Sequence, residues 1–211
     1  MGYIPAMEPS AVRAWFDEAS EATLSVIDAI PDDAWSRPGL GDWTIHELAA
    51  HTIRAWTMVV RYLHEPVQAD DPLTAEEYFC QAMSAPGVHE GVLQRGREEA
   101  AGLTDLPAAA HEAAELARAE LSGASGERHV TSRFGPLTLD EYLRTRAFEL
   151  TVHGIDLARA AQLPVPQGLV SCAGLAAELA ARVAAARGTA IPLLLAATGR
   201  ESLPRGYNVV G

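Results

Sequence analysis

Lysine is absent from this chain: all 16 basic residues are arginine, and with 28 acidic residues they leave a formal net charge of −12. That balance argues against nucleic acid, whose phosphates attract basic surfaces, and disfavours an anionic membrane surface. Cysteine is scarce as well. Cys80 and Cys172 form neither a CxxC pair nor a disulfide framework, and both read as small structural hydrophobes. Aromatic residues contribute only 6 %, whereas Ala, Leu and Val dominate a hydrophobic share of 48 %, which suits packed helices better than a β-sandwich. The opening residues show no basic stretch followed by an apolar run, and no segment reads as long enough to span a membrane, so a cytoplasmic protein is expected. A length of 211 residues allows one sizeable core with at most a small appendage.

What is present is mostly helical periodicity. Val12, Trp15, Phe16, Ala19, Thr23, Val26 and Ile27 recur at helical spacing and Pro31 stops them, predicting a first helix from about Glu8 to Ile30. After a Pro- and Gly-bearing loop, Thr44 caps a second helix that runs to about His64. A weaker helix is expected over Thr74 to Met83, and two helices or one broken helix from Val88 to Leu121. His129 to Gly135 reads as extended. Thr138 or Leu139 opens a strong helix through Arg159, a Pro-rich linker follows, and Leu169 to Arg187 is an Ala-rich helix. Thr189 to Thr198 is apolar and of undetermined type, and the end reads as mostly loop.

Three residues on two of these helices form a candidate metal site. Glu149 and His153 are spaced i,i+4, so on a helix they share one face and can close on a single ion. His51 would join them from the second helix. Two imidazoles and a carboxylate suit zinc or another borderline divalent metal, and three protein ligands leave a position open for chemistry. Thr44-Ile45-His46-Glu47 has the T-x-x-E form of a capping box, so Glu47 reads as a cap; alternatively it joins His51 as a second E-x-x-x-H pair. His46-Glu47 is not the start of an H-E-x-x-H motif, because the next His follows at i+5. Asp156 either accepts from the second imidazole N–H of His153 or bridges Arg159 or Arg146. His64, His89, His111 and His129 have no helical partner of ligand type and read as surface residues.

The segments Ala34-Trp35, Gly41-Asp42-Trp43-Thr44-Ile45-His46-Glu47-Leu48-Ala49-Ala50-His51, Phe134-Gly135-Pro136-Leu137, Arg146 to Leu157, Thr198-Gly199-Arg200 and Gly206-Tyr207-Asn208-Val209 resemble the mycothiol-dependent maleylpyruvate isomerase family, within the DinB-like superfamily of metal-binding helical bundles. The resemblance implies a mainly α, up-down four-helix bundle over 1–162, followed by a short C-terminal extension over 163–211 where the isomerase proper carries a separate small domain. It further implies a divalent metal, usually zinc, held by His51, Glu149 and His153, and mycothiol as a thiol cofactor bound at the open position. In the isomerase reaction the thiolate adds to the conjugated double bond of maleylpyruvate, the bond rotates, and elimination gives fumarylpyruvate. S-transfer onto another small electrophile is the related reaction. Arg200 and Arg205 are candidates for bidentate contacts with an anionic cofactor or substrate, or are surface residues. Two other readings remain open: a hydrolase using metal-bound water, with Glu47 or Asp156 as general base, and a non-catalytic binding module stapled by the metal. An exposed helical face would allow a homodimer.

Overall fold

The computed structural model describes residues 7–67, 70–85 and 88–210, with no side-chain description for 88–90, 92, 93 and 95. The first six residues, read above as free of a leader, and the His89 side chain lie outside the described residues. The elements in chain order are α1 (Pro9–Ala29), a 3-10 turn (Asp32–Ala34), α2 (Ile45–His64), α3 (Ala75–Ser84), α4 (Val88–Ala101), α5 (Leu106–Leu121), β1 (His129–Ser132), β2 (Gly135–Thr138), α6 (Leu139–Ala160), α7 (Gln167–Ala186) and α8 (Ala190–Ala197).

Helix starts follow local chemistry. Thr44 and Thr74 each form a full capping box, with Glu47 and Glu77 respectively, and the side chains of Asp105 and Thr138 accept the backbone N–H of Ala108 and Glu141. Of these, the Thr74–Glu77 box was equally legible in the sequence.

The core forms where α1, α2, α5 and α6 pack on one another. Arg13 meets Asp140 and Thr23 meets Gly154, so α1 and α6 run parallel. His51 meets His153 and Tyr62 meets Tyr142, so α2 is antiparallel to α6. His46 meets Leu103 and His64 meets Glu120, which sets α5 parallel to α2. Two helices therefore point each way. Buried indoles tie the layers together: Trp15 Nε1 donates to Thr151 Oγ1 at 3.1 Å, and Trp56 Nε1 donates to Ser20 Oγ at 2.9 Å. Each such side chain removes large apolar area from water while its one polar atom stays paired.

Two expectations need correction, and one open reading is resolved. Residues 129–135 do not form one extended segment: a second strand, Gly135–Thr138, turns back so that Ser132 pairs with Gly135 and His129 with Thr138. The reason is a two-residue turn at Arg133-Phe134, held by Ser132 Oγ, which accepts from Phe134 N–H and donates to Gly135 O. The apolar segment near 190 is helical, as α8. Finally, α7 is, by length and composition, apolar enough to cross a membrane: it has 20 residues, with a mean hydropathy of 1.5 over its most apolar stretch. One face of it, with Leu169, Cys172, Ala176, Leu179 and Val183, is buried against α1, α3 and α6.

Gly154 lets α6 approach its neighbours. A Cβ there would lie 2.6 Å from Thr23 Oγ1 and 3.0 Å from Leu169 Cδ1, and Thr23 is held in place by donating to Leu150 O at 3.0 Å. Gly154→Val is therefore expected to destabilise the fold by about 1–3 kcal/mol through overpacking, read as a lower urea midpoint at unchanged m-value.

Candidate metal centre

The loop before α2 shapes one wall of the site. Gly39 N–H donates to Trp43 O at 2.7 Å, Ile45 N–H to Arg37 O at 2.9 Å, and His46 N–H to Trp35 O at 3.0 Å, folding the loop onto the helix start. Gly39 is needed for this approach, since a Cβ would stand 2.7 Å from the Thr44 carbonyl oxygen. The fold-back lays Trp43 on His51, with ring centroids 4.7 Å apart at 35°. Glu47 accepts from Thr44 N–H at 2.8 Å and from its hydroxyl at 3.1 Å, and pairs with Arg97 at 3.3 Å. It sits where a cap sits.

About one turn beyond Glu47 along α2, His51 meets the E-x-x-x-H pair of α6. The ligand atoms of His51, Glu149 and His153 all lie within 4.8 Å of one another, and each residue keeps an accessible edge. His153 Nε2 is 3.0 Å from Glu149 Oε2, while its Nδ1 faces Asp156 Oδ2 at 3.4 Å. Asp156 makes no ion pair with Arg159 or Arg146 among the described residues. Of its two readings, the structure holds the one toward His153.

The electrostatics follow from burial and these pairings. Burial, and next the neighbouring His153, push His51 down to about 3, so its imidazole is neutral and its lone pair available. Burial also opposes charge on His153, but hydrogen bonds to Asp156 and Glu149 outweigh it and lift this group to about 9. Burial likewise acts against the Glu149 carboxylate, yet the His153 contact and then the Arg146 charge hold it well below its usual range. Once His153 gives up its proton, the donor set is two imidazoles and one ionised carboxylate, converging at a spacing one borderline cation can bridge, which fits zinc-type coordination.

Other residues fall elsewhere. Arg200 and Arg205 are exposed on the C-terminal segment that follows α8. Cys80 and Cys172 are free thiols, both raised by burial, Cys172 to about 11. His64 pairs with Glu120 and His111 with Asp28, on exposed faces, and His129 is half-buried in β1. Sequence reasoning passed over Trp43, Tyr78 and Tyr142 as neighbours of the site. Arg146, at i−3 from Glu149, carried a signal in its spacing; Tyr78 carried none, since α3 brings it in from a distant part of the chain.

A family model described as the mycothiol maleylpyruvate isomerase N-terminal domain matches residues 16–158, a span that contains His51, Glu149 and His153. The chain belongs to this family. A crystal structure of the mycothiol-dependent maleylpyruvate isomerase is similar at 12 % identity and a TM-score of 0.51, covering 79 % of this chain and 68 % of that one. At that identity the likeness shows the shared DinB-like, mainly helical fold. No curated protein matches the chain.

The two histidines bend the stability of the metal-free chain in opposite directions. His153 is raised from 6.5 to about 9, so its contribution is full below pH 6.5 and is lost as pH climbs through 9. His51 is lowered from 6.5 to about 3, so its contribution is present above pH 6.5 and lost as pH falls toward 3. Urea midpoints of the chelator-treated protein are expected to decline on both sides of about pH 6.5, and His153→Gln should flatten the alkaline side and, because His153 also helps hold His51 and Glu149 down, lessen the decline on the acid side. An unchanged alkaline side in that variant would contradict the assignment.

Proposed function

We propose that this protein is a metal-dependent thiol isomerase or S-transferase acting on a small electrophile of the maleylpyruvate type, with His51, Glu149 and His153 as the metal ligands. The observation that carries the reading is the convergence of those three donor atoms within 4.8 Å, in a member of a family named for mycothiol and maleylpyruvate. Bound there, a divalent metal such as zinc would supply Lewis acidity that lowers the pKa of a thiol ligand, and mycothiol or a related thiol would supply the nucleophile for reversible addition to a conjugated double bond.

The chain's own residues prepare the site. His51 offers a neutral nitrogen at neutral pH, and Glu149 brings the one ligand charge. His153 has to release the proton at Nε2 before it can ligate, and Asp156 keeps Nδ1–H oriented while it does so. Trp43 shields the His51 ring from water on one side. A borrowed thiol also suits a chain whose own two thiols stay protonated. The hydrolase alternative needs a free general base, and its two candidates are engaged: Glu47 in the cap with Thr44, Asp156 at His153.

The test combines metal analysis with turnover. Protein purified without a chelating tag is expected to carry about one zinc or similar ion per chain, lost in His153→Ala, with metal affinity about 10–100-fold weaker in Asp156→Ala. The loaded protein should isomerise maleylpyruvate only when a low-molecular-weight thiol is added. Cleavage without thiol would transfer the site to a hydrolase, and failure to bind metal would sink both readings.

A further inference from the structure

Arg146, Glu149 and His153 stand at i, i+3 and i+7, so the guanidinium shares the face of α6 that carries two of the three proposed ligands. Its central carbon lies 5.1 Å from the Tyr142 ring centroid and 5.8 Å from that of Tyr78. Nη2 donates to the Tyr78 hydroxyl at 3.4 Å and Nε to the Thr145 hydroxyl at 3.1 Å. Both acceptors are neutral. Among the described residues no carboxylate forms an ion pair with Arg146; Glu149, one turn on, acts on it as a nearby charge while its own contact at 3.0 Å is with His153.

Neighbouring arginines are treated differently. Arg54 pairs with Glu99, Arg144 with Glu76 at 2.8 Å and Glu141 at 2.7 Å, and Arg13 with Asp140 at 3.6 Å. An inward guanidinium with five N–H donors and only two hydroxyl partners is costly unless an anion completes it. The chain as a whole carries a formal charge of −12 and repels anions, so an anionic substrate needs a local cation for recognition. Because Arg146 donates to the Tyr78 oxygen, the Tyr78 hydroxyl proton remains available to a second acceptor, and burial raises the pKa of this phenol so that the proton is kept.

We propose that Arg146 is the anion-recognition residue of this centre, binding a carboxylate of the substrate through its fork, with the Tyr78 hydroxyl as an added donor, so that the rest of the molecule lies along the His51–Glu149–His153 edge. This deepens the reading given under Proposed function and assigns a charge requirement to the substrate: a small carboxylate, selected over its neutral ester. The ring stack orients the fork, which a point charge cannot replace.

Calorimetric titration of the metal-loaded full chain with maleate, a small cis-dicarboxylate, tests this. Wild type is expected to bind maleate with an affinity that falls with added salt, and not to bind dimethyl maleate. Arg146→Met should weaken maleate at least tenfold at unchanged metal content. Arg146→Lys keeps a cation against the two rings, provides a variant in which folding is preserved if the Met variant fails to fold, and should also bind more weakly than wild type. Equal maleate affinity in a folded, metal-loaded Arg146 variant, no maleate binding by wild type, or equal binding of the diester would overturn the assignment. Arg146-dependent maleate binding without thiol-dependent turnover would overturn the isomerase reading and leave the anion site standing.

Discussion

The antiparallel seam between α2 and α6 is the constraint on which the rest of the structure depends. At one end Tyr62 packs on Tyr142 with centroids 5.2 Å apart; at the other His51 meets His153, also at 5.2 Å. The span from His51 to Tyr62 is eleven residues and that from Tyr142 to His153 is eleven, so the two contacts fix one another. A slip of one turn along either helix would move His51 or His153 by about 5 Å and separate the three converging side chains. Gly154, the residue after His153, holds α6 against α1 and α7 on the opposite side, so the seam is braced from behind.

Placing charge beside this seam is expensive, and the surrounding residues show how the cost is met. Arg144 is nearly inaccessible, with 7 % of its side chain exposed, yet it bridges Glu76 of α3 and Glu141 of its own helix. Glu141 also accepts the Ala75 N–H at 2.7 Å, at the start of α3. One charged cluster thereby docks α3 and delivers Tyr78 and Phe79 to the seam, where Phe79 packs on Phe148 at 5.2 Å. Two residues along α6, Arg146 rests on aromatic faces and hydroxyls instead of carboxylates. The contrast between the two arginines separates a group that holds the fold from one suited to meet a ligand.

The candidate metal centre is similarly layered. The loop through Gly39 sets Trp43 on His51, the capping box of Thr44 and Glu47 sets the angle at which α2 begins, and Asp156 faces the far nitrogen of His153. None of these residues belongs to the candidate ligand set, but each limits the freedom of one that does. Three donor side chains built on two helices and steadied in this way are held close to one another before any ligand arrives.

The sequence by itself determined what depends on near neighbours. Helical spacing marked α1, α2 and α6, the T-x-x-E form at Thr44 marked the start of α2, and the i,i+4 spacing placed Glu149 beside His153 because a helix puts those positions on one face. The β1–β2 hairpin was half visible, since its turn at Arg133-Phe134 lacks the Asn-Gly or Gly-rich chemistry that advertises tight turns. Nor could length and composition tell α7, an Ala-rich helix that packs by one face, from a membrane span. Only tertiary structure brought His51 to the pair across about a hundred residues, placed Tyr78 of α3 against Arg146, and left Arg200 and Arg205 exposed. The physical reason is that local propensity and periodicity specify which face of a helix is apolar or charged, whereas the partner of that face is chosen by packing among all the faces at once.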